Sequence, residues 1–212
     1  MIIAIDGPAA SGKGTLGSRL AQHYGLRHLD TGLLYRAVAK AVLDAGKPPQ
    51  DKETAVAAAR ALDHAHLDRH VLQADAIGTA ASIVSAFPEV RAVLVEYQRG
   101  FAAKPPGAVL DGRDIGTVIA PDADVKLFVT ATAEVRAERR FKELQKRGMR
   151  AHYDDVLADI RSRDARDSGR EVAPLKAAAD ALLLNTSALT PDEAIAEALR
   201  LSEERLGVPS AN

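Results

Sequence analysis

The first part of the chain constrains the fold more than any other. Residues 1–6 are uniformly apolar up to Asp6, a pattern typical of a strand that is covered on both faces in a parallel sheet. A glycine-rich segment, residues 7–15, follows directly. Apolar residues then recur at helical spacing, and Gly25 is placed to end that helix. The pattern predicts a strand, a tight loop and a helix, and the buried strand requires helices on both faces of its sheet.

The same alternation of short apolar runs and helical patterns recurs along the chain. Such repetition predicts an α/β fold with a parallel sheet of about five strands flanked by helices. The further strands are expected at residues 26–30, 108–111, 125–130 and 181–185. The helices are expected at residues 33–45, 134–147 and about 153–167, with a last one that begins after Thr190 and runs to about Leu206.

Two segments interrupt this alternation. Residues 46–102 contain helical patterns without a strong strand, so we expect a helical insertion beside the sheet. Residues 139–170 belong to a locally basic zone that includes Gly148 as a hinge, and we expect them to form a short lid. The chain has 212 residues, so residues 1–212 are predicted to form a single domain that carries both segments.

Composition excludes several classes of protein. The formal net charge is -1, so no global field attracts nucleic acid or an anionic membrane. The absence of cysteine excludes disulfides and thiolate metal sites. No apolar run approaches the ~18 residues that span a bilayer. We expect a cytoplasmic monomer that binds neither nucleic acid nor membrane.

The glycine-rich segment matches a phosphate-binding motif. Residues 7–13 fit GxxxxGK after a buried strand and before a helix, the context that gives this motif its meaning. Backbone N–H groups and the helix N-terminus can surround phosphate oxygens, Lys13 supplies a charge, and the Thr15 hydroxyl can reach Mg²⁺. The strict motif has Ser or Thr directly after Lys, whereas here Gly14 intervenes. The alternative is a glycine-rich turn without a ligand. The predicted ATP-binding residues are Gly7, Pro8, Ala9, Ala10, Ser11, Gly12, Lys13, Gly14 and Thr15.

Charged residues elsewhere suggest where the acceptor binds. Asp111 ends an apolar strand, which favours a role in holding Mg²⁺ or its waters over a purely local turn with Gly112. Arg163, Arg166 and Arg170 fall near one face of a predicted helix. They could be a solvated face with local ion pairs, but transfer between two phosphates gathers negative charge that guanidinium groups neutralise well. Further cationic candidates are Arg36, Arg91, Arg113, Arg136, Arg139 and Arg140.

A phosphate acceptor needs no general base, because its oxygen is already ionised near neutrality. We therefore assign the histidines no role. A metal cluster of His64, His66 and His70 is conceivable, but a polar surface is the favoured interpretation.

Taken together, the motifs resemble those of the bacterial cytidylate kinases over nearly the whole chain. The matching segments are Ile5-Asp6-Gly7-Pro8, Gly12-Lys13-Gly14-Thr15, Leu29-Asp30-Thr31-Gly32, Tyr35-Arg36, Ala80-Ala81-Ser82, Phe87-Pro88-Glu89-Val90-Arg91, residues 111–117 and residues 163–168. The resemblance implies MgATP-dependent phosphorylation of CMP and dCMP on a P-loop parallel sheet, with an insertion that binds the nucleoside monophosphate and a lid.

The resemblance also implies roles for individual residues. Lys13, Arg113 and Arg163 would be catalytic. Asp114 could accept a hydrogen bond from the exocyclic amine that distinguishes cytosine from uracil. Without the resemblance, Thr31 would be taken as a helix cap and Ser82 as a surface residue. The predicted substrate-binding residues are Thr31, Arg36, Ser82, Arg91, Arg113, Asp114, Arg163, Asp167 and Arg170. The metal site, predicted above from the motif and the strand end, is Thr15 with Asp111, held through water.

One segment departs from the family pattern. The stretch at residues 64–75 is shorter than the corresponding stretch in better-known members of the family. Two other functions remain open. The chain could be a P-loop kinase for another small acceptor such as UMP, or a nucleotide-binding module that holds ATP without turnover.

Overall fold

The computed structural model describes residues 1–64, 67–72 and 74–208. Within these residues, five parallel strands form one sheet in the order β2-β3-β1-β4-β5, as the sequence predicted. The order places β1, which leads into the glycine loop, at the centre of the sheet. The strands are β1 Ile2–Asp6, β2 Arg27–Asp30, β3 Ala108–Gly112, β4 Val125–Thr130 and β5 Leu182–Asn185.

Helices fill the intervals between the strands, and the predicted ones lie within a few residues of their expected bounds. Two elements were not predicted: the short helix α4 and a π-helical segment at Ile115–Ile119 directly after β3. The helices are α1 Lys13–Tyr24, α2 Thr31–Asp44, α3 Lys52–Arg60, α4 Arg69–Leu72, α5 Asp75–Val84, α6 Pro88–Ala103, α7 Ala133–Lys146, α8 Tyr153–Ser168 and α9 Pro191–Leu206.

The side chains of β1 alternate between two cores. Ile3 and Ile5 are fully buried on one face, against α1 and α9. Ala4 is buried on the other face, with the π-helical segment and the end of α6. Each large apolar side chain so buried stabilises the fold by ~1.5–3 kcal/mol. Helices therefore cover both faces of the sheet, which is why β1 has no polar residue before Asp6.

The strand register brings polar residues together at one edge of the sheet. Asp6 of β1 pairs with Gly112 of β3, and Asp30 of β2 pairs with Asp111 of β3. The carboxyl ends of three neighbouring strands therefore lie side by side. In parallel α/β sheets this edge is where ligands bind.

The segment at 46–102 is helical throughout its described elements. Its helices α3, α5 and α6 pack on α2 around Val38, Val84 and Leu94. Helix α6 also contributes Ala102 to the core beneath the sheet, so it belongs to both parts of the molecule. Helices α7 and α8 share a small core that includes Leu144 and Ile160. The division into an insertion and a lid stays a prediction.

Among the described residues, no single helix is long and apolar enough to cross a membrane. Two consecutive helices reach the length and apolar composition of a membrane span only when they are counted together. They are Ala76–Val84 and Pro88–Ala103, and the angle between them is 98°.

Candidate active site

The glycine loop between β1 and α1 is held in a conformation that glycine permits. Gly7 has φ +152°, and a Cβ atom there would lie 1.9 Å from the carbonyl oxygen of Val129 in β4. Gly12 has φ +96° and precedes α1 without a side-chain cap. The first N–H groups of α1 therefore receive no cap from that residue, which is the arrangement that binds anions at helix N-termini.

Lys13 is the first residue of α1 and its side chain is buried. Its ammonium donates a hydrogen bond of 2.6 Å to the carbonyl oxygen of Pro8, so it lies folded over the loop. Burial lowers the pKa of Lys13 to about 7, and the positive charge of Arg113 adds to this effect. The cation thus sits where charge is poorly solvated, and an anionic ligand would stabilise it.

Asp6 connects the loop to the segment that follows β3. Its buried carboxylate accepts hydrogen bonds of 2.7 Å from the N–H groups of Ile115 and Gly116. Burial raises the pKa of Asp6 to about 6, although these two bonds act in the opposite direction. Asp6 therefore fixes the π-helical segment beside the loop.

The loop forms one wall of a cavity of about 740 Å³. Other walls come from the ends of β2 and β3 and from α2, α5 and α8. Two predicted loop residues, Gly7 and Pro8, are not in the lining. The predicted site residues in the lining are Ala9, Ala10, Ser11, Gly12, Lys13, Gly14, Thr15, Thr31, Arg36, Ser82, Arg91, Asp111, Arg113, Asp114, Arg163, Asp167 and Arg170.

Two groups of buried charges line the same cavity as the loop. Arg91 pairs with Asp114, and both side chains are almost fully buried. Asp167 accepts from Arg113 at 2.6 Å and from Arg170. Burial alone would raise the pKa of Asp167, but the two guanidinium groups outweigh it and hold the pKa below its usual value. Asp167 is therefore buried between these two arginines. The alternative of local ion pairs on a solvated face holds only in part, because Arg163 does pair with Asp159 of its own helix at 2.8 Å.

Three arginines from α8 and the residues just after it reach hydroxyl groups of α5 and its C-terminal end. Arg163 donates to Thr79 at 3.0 Å, Arg166 to Ser82 at 3.1 Å and Arg170 to Ser85 at 2.8 Å. The alternative in which Ser82 is an ordinary surface residue is therefore wrong. Among the described residues, the buried Nε atom of Arg170 and the buried Nη2 atom of Arg166 have no hydrogen-bond partner.

Arg36 adds further positive charge. It donates to the carbonyl oxygen of Leu72 at 2.9 Å. Burial lowers the pKa of Arg36 to about 10, and the nearby Arg163 and Arg140 add to this shift. So many cations facing one cavity favour an anionic ligand with several charges.

Thr31 and Asp111 are linked at the edge of the sheet. The buried Thr31 hydroxyl donates to the backbone carbonyl of Asp111 at 2.8 Å. Helix α2 begins at Thr31 itself, with Asp30 as its N-cap. The interpretation of Thr31 as the helix cap is therefore wrong, since its hydroxyl is committed to β3.

The oxygen donors around Thr15 fit a small divalent cation. The Thr15 hydroxyl and the Asp111 carboxylate line the same cavity beside the loop. Mg²⁺ prefers such oxygen ligands and usually keeps several waters and phosphate oxygens as well. Within the described residues, no cluster of three or more His, Asp or Glu side chains could hold a metal by itself. The donor set thus suits a cation that arrives with phosphates.

Several other candidates lie elsewhere. Arg136 is not in the cavity lining; it binds Asp164 through two bonds of 3.0 and 2.6 Å, which join α7 to α8. Arg139 donates to Thr186 and lines a smaller neighbouring cavity. His64 stacks on Tyr97. His66 and the side chain of His70 lie outside the described residues.

The sequence analysis missed one contact at the edge of the sheet. His28 of β2 lies 2.8 Å from the Asp111 carboxylate. The two residues are far apart in the chain, and only the register of β2 against β3 could have suggested the contact.

A glycine loop on the central strand, with a buried lysine and a wall of arginines facing it, defines an enzyme of the P-loop phosphotransferase class. The sequence matches the model of the cytidylate kinase family over residues 3–204. The chain therefore belongs to the cytidylate kinase family.

Curated relatives agree over nearly the full length. The cytidylate kinase of Azorhizobium caulinodans is 64% identical over 98% of this chain and 100% of that protein. The cytidylate kinases of Rhodopseudomonas palustris (strain TIE-1) and Afipia carboxidovorans are 60% and 61% identical over 96% of this chain, and the matches cover 96% and 98% of those proteins. A crystal structure of an uncharacterized protein from Eubacterium ventriosum has a TM-score of 0.55 at 15% identity, over 96% of this chain and 98% of that one. This last likeness concerns the fold alone.

Proposed function

We propose that this enzyme transfers the γ-phosphoryl group of MgATP to CMP and dCMP. One observation carries the proposal: the glycine loop with Lys13 and the charged groups around Arg91 and Arg163 line one continuous cavity. A cavity of about 740 Å³ falls within the ~300–1,000 Å³ range of small-molecule sites. The names of the relatives support CMP as the acceptor.

We place the triphosphate of ATP on the loop that runs from residue 7 to residue 15. The N–H groups at the start of α1 would bind its phosphates, and Lys13 would leave the Pro8 carbonyl to contact the transferred group. The smaller cavity next to the loop has a volume of about 190 Å³ and adjoins Gly12, Arg139 and Thr190. We propose that the base of ATP lies there, because this cavity shares the loop as a wall.

We place CMP against the opposite wall. Its phosphate would face Arg36, Arg113 and Arg163, whose charges surround the space above α5. Asp114 would accept a hydrogen bond from the cytosine amine, and Ser82, Arg91, Asp167, Arg170 and Thr31 would hold the rest of the nucleotide. The buried, partnerless Nε of Arg170 supports a ligand with acceptor atoms at this wall.

The reaction in this arrangement is an in-line attack by a CMP phosphate oxygen on the γ-phosphorus of ATP. No general base is required, because the attacking oxygen is ionised. Lys13, Arg113 and Arg163 would stabilise the charge that spreads over the equatorial oxygens. We assign Mg²⁺ to Thr15 and, through water, to Asp111; when bound, it neutralises charge on the phosphates.

Closure would protect the reaction from water. We propose that the segment at 46–102 and the lid region at about 139–170 approach each other around the bound nucleotides, with Gly148 as a hinge. Gly148 has φ +72°, and a Cβ atom there would meet nothing within 4 Å. Excluding water would prevent hydrolysis of ATP. We propose that the enzyme is a monomer and that it acts in the cytoplasm.

The decisive experiment measures ATP consumption with CMP, dCMP, UMP, AMP or no acceptor. We expect consumption with CMP and dCMP, weak consumption with UMP and almost none without an acceptor. Equal or faster turnover with UMP would favour the kinase of another acceptor. Hydrolysis that does not depend on CMP, or no turnover at all, would contradict the proposal.

A further inference from the structure

The proposed mechanism leaves one buried polar contact at the edge of the cavity without a task. His28 lies in β2 and its Nε2 atom is 2.8 Å from Oδ2 of Asp111. The two side chains are only 15% and 7% exposed. The hydrogen bond restricts how the two side chains move, because a polar group left unpaired in so little water is costly.

The register of the sheet explains why the two side chains meet. His28 stands opposite Val109, and Asp111 lies two residues further along β3. Residues two apart on a strand point to the same face, so His28 and Asp111 are diagonal neighbours on the face toward α1.

Helix α1 leaves room for this pair at Gly17. A Cβ atom there would lie 2.6 Å from His28 Nε2 and 3.3 Å from Asp111 Oδ2. Any larger residue would therefore push the imidazole away from the carboxylate. The absence of a side chain at Gly17 is thus a condition for the contact.

The contact determines which part of the Asp111 carboxylate is occupied. With the tautomer that carries its proton on Nε2, His28 donates this hydrogen bond and the carboxylate oxygen accepts it. Oδ2 is then engaged. The carboxylate is held against rotation next to Lys13, whose charge interacts with it.

We infer that His28 is a positioning residue that fixes the orientation of the Asp111 carboxylate toward the phosphate-binding loop. The inference rests on the proposed role of Asp111 in holding Mg²⁺ through water. Residues that orient ligands in this way commonly contribute ~10–100-fold to metal affinity.

The test measures Mn²⁺ affinity by electron paramagnetic resonance in the presence of a non-hydrolysable ATP analogue and without CMP. The variants are His28→Leu, which removes the donor, and His28→Gln, which keeps an N–H group. Gly17→Ala displaces the imidazole, and Gly100→Ala is its control in α6, where a Cβ atom meets nothing within 4 Å. Asp111→Asn reports on the metal site itself.

We expect His28→Leu and Gly17→Ala to weaken Mn²⁺ affinity about tenfold, while His28→Gln and Gly100→Ala stay close to the unaltered enzyme. CMP affinity, measured by calorimetry without ATP, should be unchanged in all four. If His28→Leu does not fold, the comparison of Gly17→Ala with Gly100→Ala carries the test.

Two results would overturn the inference, and they differ in what else they affect. If Asp111→Asn weakens Mn²⁺ binding but His28→Leu and Gly17→Ala do not, His28 has no positioning role and the metal assignment stands. If Asp111→Asn has no effect either, the metal assignment is itself wrong. A parallel loss of CMP and Mn²⁺ affinity in His28→Leu would indicate general disorder of the site and would also refute the inference.

Discussion

Arg91 and Asp114 form an ion pair in which the two side chains are only 4% and 6% exposed. Arg91 also donates to the backbone carbonyl of Ser85 at 3.3 Å, which fixes the guanidinium on the wall of the cavity. Charges this deeply buried are costly unless each is fully paired. The pair therefore holds the Asp114 carboxylate in a fixed position on the wall of the cavity, where the proposed function places the cytosine base.

The first prediction concerns base selectivity. Replacing Asp114 by Asn should lower kcat/KM for CMP by about a hundredfold. The reason is that losing the hydrogen bond to the cytosine amine leaves a polar group unpaired in a site that excludes water. UMP should lose much less, so the ratio of kcat/KM for CMP to that for UMP should shrink at least about tenfold. Steady-state kinetics with both acceptors provide the measurement.

The control for this prediction is Arg91→Lys, which keeps the charge but loses the planar fork. It should lower turnover with CMP and UMP to a similar extent. An Asp114→Asn enzyme with an unaltered CMP-to-UMP ratio would mean that Asp114 serves only to hold Arg91.

The second prediction concerns Lys13. Lys13→Ala should reduce kcat by about three orders of magnitude or more, since electrostatic stabilisation of the transferred phosphoryl group is the main source of catalysis. The fold should persist, because the buried ammonium is poorly solvated and its pKa is already lowered to about 7. Circular dichroism and thermal melting report on the fold. Near-normal turnover in a folded Lys13→Ala enzyme would refute the catalytic role.

The third prediction follows from the same lowered pKa. As the pH rises above 7, the lowered pKa makes Lys13 of the free enzyme increasingly neutral, whereas bound phosphates would favour the ammonium form. ATP binding should therefore take up a proton, approaching about one proton at pH 8 and falling toward zero below about pH 6.

Calorimetry in buffers of different ionisation enthalpy measures this uptake. Lys13→Met is the reference, because it keeps the bulk of the side chain and cannot titrate. Identical proton uptake in the two proteins at about pH 8 would show that Lys13 does not change its charge on binding.

The fourth prediction compares two glycines with positive φ. Gly7→Ala should destabilise the protein by more than about 3 kcal/mol or prevent folding, because its Cβ would lie 1.9 Å from the carbonyl oxygen of Val129. Gly25→Ala should cost only ~1–2 kcal/mol, since φ is +63° but nothing lies within 4 Å. Urea unfolding measures both. Equal losses in the free energy of unfolding would mean that positive φ alone, and not close packing of Gly7 against β4, explains the requirement for glycine in the loop.

The sheet could be predicted because its signals are local. Strand β1 is a continuous apolar run that ends at Asp6. Helix α9 follows Thr190, which is its N-cap and forms a capping box with Glu193. The π-helical segment at Ile115–Ile119 could not be predicted in this way. It is held by the carboxylate of Asp6, which is more than one hundred residues away in the chain.

The candidate site was predictable in part. The glycine loop and the arginines after residue 162 stand out by spacing and by resemblance, and the structure brings Lys13, Arg163 and Arg170 to one cavity. The partners of individual charges were not predictable, since they depend on tertiary packing. Arg136 illustrates this: its neighbours in sequence suggested a phosphate ligand, whereas packing of α7 on α8 commits it to Asp164.

Arg136 also links three segments that are far apart in the sequence. It donates to the carbonyl oxygens of Ala131 and Ala9, at 2.9 and 3.1 Å, as well as to Asp164. These contacts fasten α7 and α8 to the glycine loop at the level of Arg136. If the proposed closure occurs, we expect the motion to concentrate in the connection between the two helices, which contains Met149. The chain contains no cysteine, so a cysteine introduced at the exposed Met149 would be the only thiol and would carry a single dye. The fluorescence of that dye would then report movement of the connection between α7 and α8 relative to the glycine loop.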